Sequence, residues 1–188
     1  MPVHTDQVGV WIVSGPSGVG KGTVCARLRQ LHPELFFSTS VTTRCPRPGE
    51  VAARAYHFLT DEEFDDLAAR DELLESASVH GRHRYGTPRQ PVVEALAAGR
   101  PVVLEIDLQG ARQVKRALPG ARLVFLTPPS WEELESRLRG RGTEDEEARQ
   151  RRLATARVEL EALSEADHVV ENAWVEDTVA ALVTLMGL

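Results

Sequence analysis

Val10-Trp-Ile-Val-Ser-Gly-Pro-Ser-Gly-Val-Gly-Lys-Gly-Thr23 is the stretch on which the reading of this chain turns. Val10 to Val13 form a β-prone apolar run, which ends in a glycine-rich turn from Gly15 to Gly20. Lys21 follows, and then Val24, Leu28 and Leu31 recur at the spacing of one helical face. Strand, glycine turn, lysine and helix together make a phosphate cradle. Glycines let backbone N–H groups converge on an anion, and the helix start adds partial positive charge. Gly15, Pro16, Ser17, Gly18, Val19 and Gly20 form the cradle, and Lys21 reaches the outer phosphates. The usual pattern places a hydroxyl for Mg²⁺ directly after the lysine. Here that position is Gly22, and Thr23 comes one residue later.

The chain has 188 residues, enough for one domain with inserted lobes and a proper core. A net charge of −6 argues against a general nucleic-acid binder, which needs a basic footprint. No apolar run approaches the roughly 18 residues of a membrane span. The first residues carry no basic-then-apolar signal. Cys25 and Cys45 form no CxxC pair, which fits a reducing compartment and makes the cytoplasm the expected location.

Outward from the cradle, Phe36–Thr43 reads as a strand and Tyr56–Leu59 as a shorter one. Thr60 with Glu63 has capping-box spacing for a helix over 61–71. Segments 72–79 and 84–87 complete a small, mostly β lobe. Thr87, Pro88 and Gln90 read as a second helix start, which Gly99 stops. Val102–Asp107, Arg122–Leu126 and His168–Glu171 are apolar runs suited to buried parallel strands, and each follows a helical segment. Ser130 with Glu133, and Thr143 with Glu146, cap two further helices, and 177–185 is the last one. The expected fold is α/β: a parallel-sheet core with helices on both faces, an inserted mostly β lobe and a helical lid. The core comprises 1–36, 88–129 and 158–188, the lobe 37–87 and the lid 130–157.

Three constellations carry chemistry. Glu105 and Asp107 are two apart, so on a strand both point to one face, at the end where ligands bind open α/β sheets. Two carboxylates there suit Mg²⁺, directly or through water. Arg44 and Arg47 flank a proline turn, with Tyr56 and Tyr85 elsewhere in the lobe. Such a turn can be merely solvated, but beside a phosphate cradle a second phosphate site is the better reading. Arg137, Arg141 and Arg152 fall in the second inserted segment, where surface ion pairing and a phosphate clamp are both open.

The chain resembles a guanylate kinase. The matching stretches are Gly15-Pro-Ser-Gly-Val-Gly-Lys21, Ser40-Val-Thr-Thr-Arg-Cys-Pro-Arg-Pro-Gly-Glu50, Tyr85-Gly-Thr87, Glu105-Ile-Asp-Leu-Gln-Gly110 and Arg139-Gly-Arg-Gly-Thr143. They cover almost the whole chain in order. The resemblance implies a phosphate-loop nucleoside monophosphate kinase that uses ATP and Mg²⁺ to phosphorylate GMP and dGMP. It places Arg44, Arg47, Tyr56 and Tyr85 on the GMP phosphate. Ser40, Glu50, Glu75, Thr87 and Asp107 would surround the nucleoside, with Glu75 on guanine. Lys21, Arg44, Arg137, Arg141 and Arg152 would be the catalytic cations, the loop with Gly22 and Thr23 would bind ATP, and Asn172 would lie near the adenine. Gly22 and Glu105 depart from the commonest residues of the family. A nucleotide-binding interaction module without turnover, or a kinase for another phosphorylated acceptor, are the rival readings.

Overall fold

A computed structural model describes residues 9–46, 56–79, 83–139 and 146–188. Two sheets organise them. The core sheet is parallel and holds β1 (Val10–Ser14), β2 (Phe36–Phe37), β7 (Val102–Glu105), β8 (Arg122–Thr127) and β9 (His168–Glu171) in the order β2-β7-β1-β8-β9. The lobe sheet holds β3 (Val41–Thr42), β4 (His57–Phe58), β5 (Leu73–Val79) and β6 (His83–Pro88), in the order β4-β3-β6-β5. The helices are α1 (Lys21–Leu31), α2 (Asp61–Ala69), α3 (Arg89–Ala97), α4 (Leu108–Ala117), α5 (Trp131–Arg139), α6 (Glu146–Glu161) and α7 (Val175–Met186).

The central strand β1 is buried along its whole length, which is why its sequence does not alternate with polar residues. Its side chains still point to opposite faces. Trp11 and Val13 join one core cluster with Val24, Leu28, Leu134 and Val179, from α1, α5 and α7. Val10 and Ile12 join the other with Val92, Leu108 and Val114, from α3 and α4. Each fully buried aliphatic side chain there contributes about 1.5–3 kcal/mol. Both faces of the sheet are thus covered by helices.

Several sequence expectations are corrected. The strand expected over 36–43 is two strands in different sheets. Phe36 and Phe37 pair with β7, whereas Val41 and Thr42 pair with β4 and β6. The chain therefore crosses from core to lobe at residues 38–40, and apolar periodicity cannot reveal such a crossing. Thr60 and Glu63 do form the reciprocal capping box. Thr87 does not cap α3: its N-cap is Pro88 with no side-chain bond, and Gln90 pairs with Glu94. Asp107 lies beyond the strand as the N-cap of α4, accepting Gly110 N–H at 2.8 Å. Leu31, read as core-facing, is exposed. Glu133 N–H does bond Ser130 Oγ at the start of α5. The cap assigned to Thr143 lies outside the described residues.

Candidate active site

The glycine loop leaves the carboxyl end of β1 in a conformation that only glycine adopts easily. Gly15, Gly18 and Gly20 have φ of 143°, 90° and 102°. Space dictates the same choice. A Cβ on Gly18 would lie 2.8 Å from Leu138, and one on Gly20 would lie 2.6 Å from Asn172 Nδ2. Gly20 is the N-cap of α1 and supplies no side-chain cap, so the first-turn N–H groups are directed at an incoming anion. Lys21 Nζ donates to Gly15 O at 2.5 Å and to Pro16 O at 3.3 Å, arching back over the loop.

Arginines of α5 and α6 reach this loop. Arg152 donates to Ser17 Oγ from Nε at 3.0 Å and from Nη2 at 2.7 Å. Arg137 Nη1 donates to Val19 O and Asn172 O at 3.2 and 3.1 Å, while its Nε meets Glu133 at 2.9 Å. Surface pairing and loop contact are therefore both present in Arg137. Arg141, with Arg47 and Glu50, lies outside the described residues. Asn172, expected near a base, is buried, and its amide bonds the loop and α7. Nδ2 donates to Val19 O at 2.7 Å, and Oδ1 accepts from Thr178 at 2.8 Å. Its side chain supports the loop from beneath.

Across the cleft, Arg44 is buried among aromatic rings. Its guanidinium lies 5.4 Å from the Tyr56 ring centroid and 5.7 Å from that of Phe58, and Nε donates to Tyr85 Oη at 3.2 Å. Tyr56 and Tyr85 meet edge to face at 5.6 Å. The hydroxyl proton of Tyr85 is still available to a ligand oxygen. Ser40, Tyr56, Glu105, Gly22 and Arg29 line a cavity of about 320 Å³.

Glu75 and Thr87 face each other across the β5–β6 ladder, paired in register. Thr87 Oγ1 donates to Glu75 Oε1 at 2.7 Å, and both residues are buried. Burial pushes the Glu75 carboxyl up to about 7, with the nearby Asp107 charge adding and the Thr87 bond opposing. Glu105, the last residue of β7, opens on the cleft yet is walled by protein. Restricted hydration raises its proton affinity, against the pull of Lys21 and Arg29.

Sequence reasoning missed Glu159. It lines a cavity of about 410 Å³ with Ser17, Lys21 and Asp107, and its Oε2 is buried without a hydrogen-bond partner among the described residues. Desolvation raises its proton affinity, while the Ser17 N–H and Lys21 oppose that rise. The signal was the 4 and 3 spacing of Arg152, Ala156 and Glu159 on one face of α6, masked by that helix's overall polarity.

A lysine-bearing glycine loop at the end of a central parallel strand, with arginines of two helices reaching it and a second polar site on an inserted β lobe, defines the phosphate-loop nucleotide kinase class. Comparisons narrow this. The family model described as guanylate kinase matches residues 8–187. A guanylate kinase of Streptomyces coelicolor is 58% identical over 177 residues, 94% of this chain and 89% of that one. One of Leifsonia xyli is 56% identical over 175 residues, 93% and 69% of the respective chains. The crystal structure of guanylate kinase from Anaplasma phagocytophilum superimposes with a TM-score of 0.79 at 30% identity, covering 95% of this chain and 84% of that one. The chain belongs to the guanylate kinase family.

Proposed function

We propose that this protein transfers the γ-phosphoryl group of ATP to GMP and dGMP, and that residues 37–87 carry the acceptor while 130–157 close over ATP. The observation that supports the acceptor most directly is the buried Glu75–Thr87 pair. Guanine presents adjacent N1–H and N2–H donors, which an ionised Glu75 accepts together, and Ser40 can donate to O6, while the Thr87 hydroxyl, its proton given to Glu75, holds that carboxylate in place. Adenine offers no such donor pair and leaves the buried Glu75 carboxylate with only the Thr87 hydroxyl, at a cost of about 1–3 kcal/mol. Arg44, Arg47, Tyr56 and Tyr85 bind the acceptor phosphate, with Glu50 and Asp107 on the nucleoside.

On the donor side the loop from Gly15 to Thr23 cradles the triphosphate. Lys21 then exchanges its loop carbonyls for phosphate oxygens. Arg137 and Arg152 turn from the loop to the transferring group, where Arg141 adds a third positive charge. The acceptor oxygen is already largely ionised near neutral pH, so no strong base is needed. Positioning, charge neutralisation and exclusion of water carry the reaction.

Glu105 and Asp107 suit Mg²⁺, being hard oxygen donors at the strand end beside the loop. One Asp107 oxygen is committed to Gly110, which leaves the other for a metal-bound water. When bound, Mg²⁺ neutralises triphosphate charge. No described helix is long and apolar enough to cross a membrane. A cytoplasmic setting fits this reading and the isolated cysteines.

ADP release from ATP and Mg²⁺, with GMP, dGMP, AMP, UMP and CMP offered separately, tests the proposal. Turnover confined to GMP and dGMP supports it. Activity with AMP instead would remove the roles given to Glu75 and Ser40, and GMP binding without turnover would leave only a binding module.

A further inference from the structure

Among the described residues β5 is an edge strand of the lobe sheet, so on its outer side its backbone groups have no neighbouring strand there. At Ser76 that deficit is met from the core. Ser76 N–H donates to Gln113 Oε1 at 3.1 Å, and Gln113 Nε2 donates to Ser76 O at 2.6 Å. A carboxamide carries one acceptor and donors in the geometry of a peptide group, so the Gln113 side chain acts as a one-residue surrogate strand. Gln113 belongs to α4, whose N-terminal end is set by Asp107 and packs on the core sheet. The bond pair therefore ties the lobe's edge to a core helix.

The residue it holds has a neighbour of consequence. Ser76 follows Glu75 directly, and Glu75 Oε2 lies 2.5 Å from where a Cβ on Gly110 would stand. Gly110 is three residues before Gln113, one turn along the same helix. Glycine at one turn admits the carboxylate, and glutamine at the next fixes the strand that carries it. We infer that Gln113 is a positioning residue, clamping the lobe edge to the core so that Glu75 is held where the acceptor base is read. This rests on the proposed role of Glu75 in binding guanine.

The test compares the full-length wild type with Gln113→Ala, Gln113→Glu and Glu75→Gln, varying ATP and GMP separately. In Gln113→Ala, KM for GMP rises about tenfold, the scale of one or two net hydrogen bonds, while KM for ATP stays unchanged. Hydrogen exchange at the Ser76 amide accelerates in the same variant. Gln113→Glu keeps the acceptor and loses the donor, so its KM for GMP is intermediate and its Ser76 amide stays protected. That variant also serves if the alanine form does not fold. Equal changes in both KM values, or an unchanged KM for GMP with faster exchange at Ser76, would overturn the inference. If Glu75→Gln impairs GMP use and Gln113→Ala does not, only the clamp fails. If Glu75→Gln binds GMP as the wild type does, the guanine reading fails and the clamp loses its purpose with it.

Discussion

Thr87 Oγ1 donates to Glu75 Oε1 at 2.7 Å inside a site where Thr87 is 1% and Glu75 4% exposed. One hydroxyl is a thin substitute for the hydration a carboxylate gives up on burial. The consequence is a carboxyl pushed up to about 7, poised between neutral and ionised forms. A ligand that brings a pair of N–H donors relieves that deficit, so the ligand-free site is strained toward its ligand by charge rather than by backbone.

Stability should carry this signature. Glu75 has a higher proton affinity folded than unfolded, so the native state holds the extra proton between about pH 4.5 and about 7. Its contribution to stability is complete below the lower value, is lost as pH rises through the window, and stays lost above it. The cost at pH 8 is on the order of 3 kcal/mol. Glu75→Gln removes the ionisable group, so thermal unfolding should show a raised Tm at pH 8 and little change at pH 4.5. A Tm difference independent of pH would contradict this.

Binding should run the opposite way. GMP requires the ionised form, so its affinity should climb from pH 6 to pH 8, by up to about tenfold per unit below the Glu75 midpoint. Calorimetry at pH 6.5 in buffers of different ionisation enthalpy should detect proton release on binding. The acceptor phosphate titrates too, but that part persists in Glu75→Gln, and only the remainder belongs to Glu75.

Much of this was legible from the sequence because each signal was local. The cradle from Gly15 to Lys21 encodes its own turn, and β1 declares burial on both faces by lacking polar alternation. The carboxyl end of the parallel strands then locates the ligands. What the sequence hid were choices made across space. Thr87 has a good capping-box context but spends its hydroxyl on Glu75, because β6 continues through Pro88 and places the pair in register. Asn172 reads as a ligand contact, and nothing local in the sequence says that its amide also bonds Val19 and Thr178. Glu159 shares a helical face with Arg152, but nothing in the chain says that this face of α6 meets Ser17.

The loop floor gives a third prediction. A Cβ at Gly20 combines a φ of 102° with a 2.6 Å approach to Asn172 Nδ2. Gly20→Ala should therefore disturb both the backbone and the amide that supports Val19, weakening ATP binding about tenfold or more, the effect of roughly 1–3 kcal/mol of strain. GMP binding, which uses the lobe, should change little. Titration of each nucleotide separately checks this, and equal loss of both would contradict it.

Arg44 and Lys21 should separate binding from turnover. Arg44 is held by Tyr85 and packed beside Tyr56 and Phe58, a fixed guanidinium suited to an acceptor phosphate. Its loss should raise KM for GMP by about tenfold to a hundredfold, the value of one charge-assisted contact. Lys21→Ala should instead depress kcat, because its charge is needed where the triphosphate splits. Initial-rate kinetics decide, and an unchanged KM for GMP in Arg44→Ala would count against its assignment.

Gly22 is the position where a hydroxyl usually meets the metal, and the structure shows what a side chain would find there. A Cβ on Gly22 lies 3.4 Å from Glu105 Oε1, with no other heavy atom of the described residues outside its own helix and chain neighbours within 4 Å. A serine therefore fits and would place its hydroxyl beside the carboxylate assigned to Mg²⁺. It would also relieve the helical cost of glycine by about 0.5 kcal/mol. Two outcomes distinguish the possible roles of Glu105. If Glu105 holds the metal through water, Gly22→Ser adds an oxygen donor and lowers the Mg²⁺ concentration for half-maximal rate by about twofold to fivefold, a gain of one modest hydrogen bond. If Glu105 merely surfaces into solvent, the same variant shifts Tm upward while the Mg²⁺ dependence stays where it was. Measuring both on one preparation therefore tests the carboxylate without removing it.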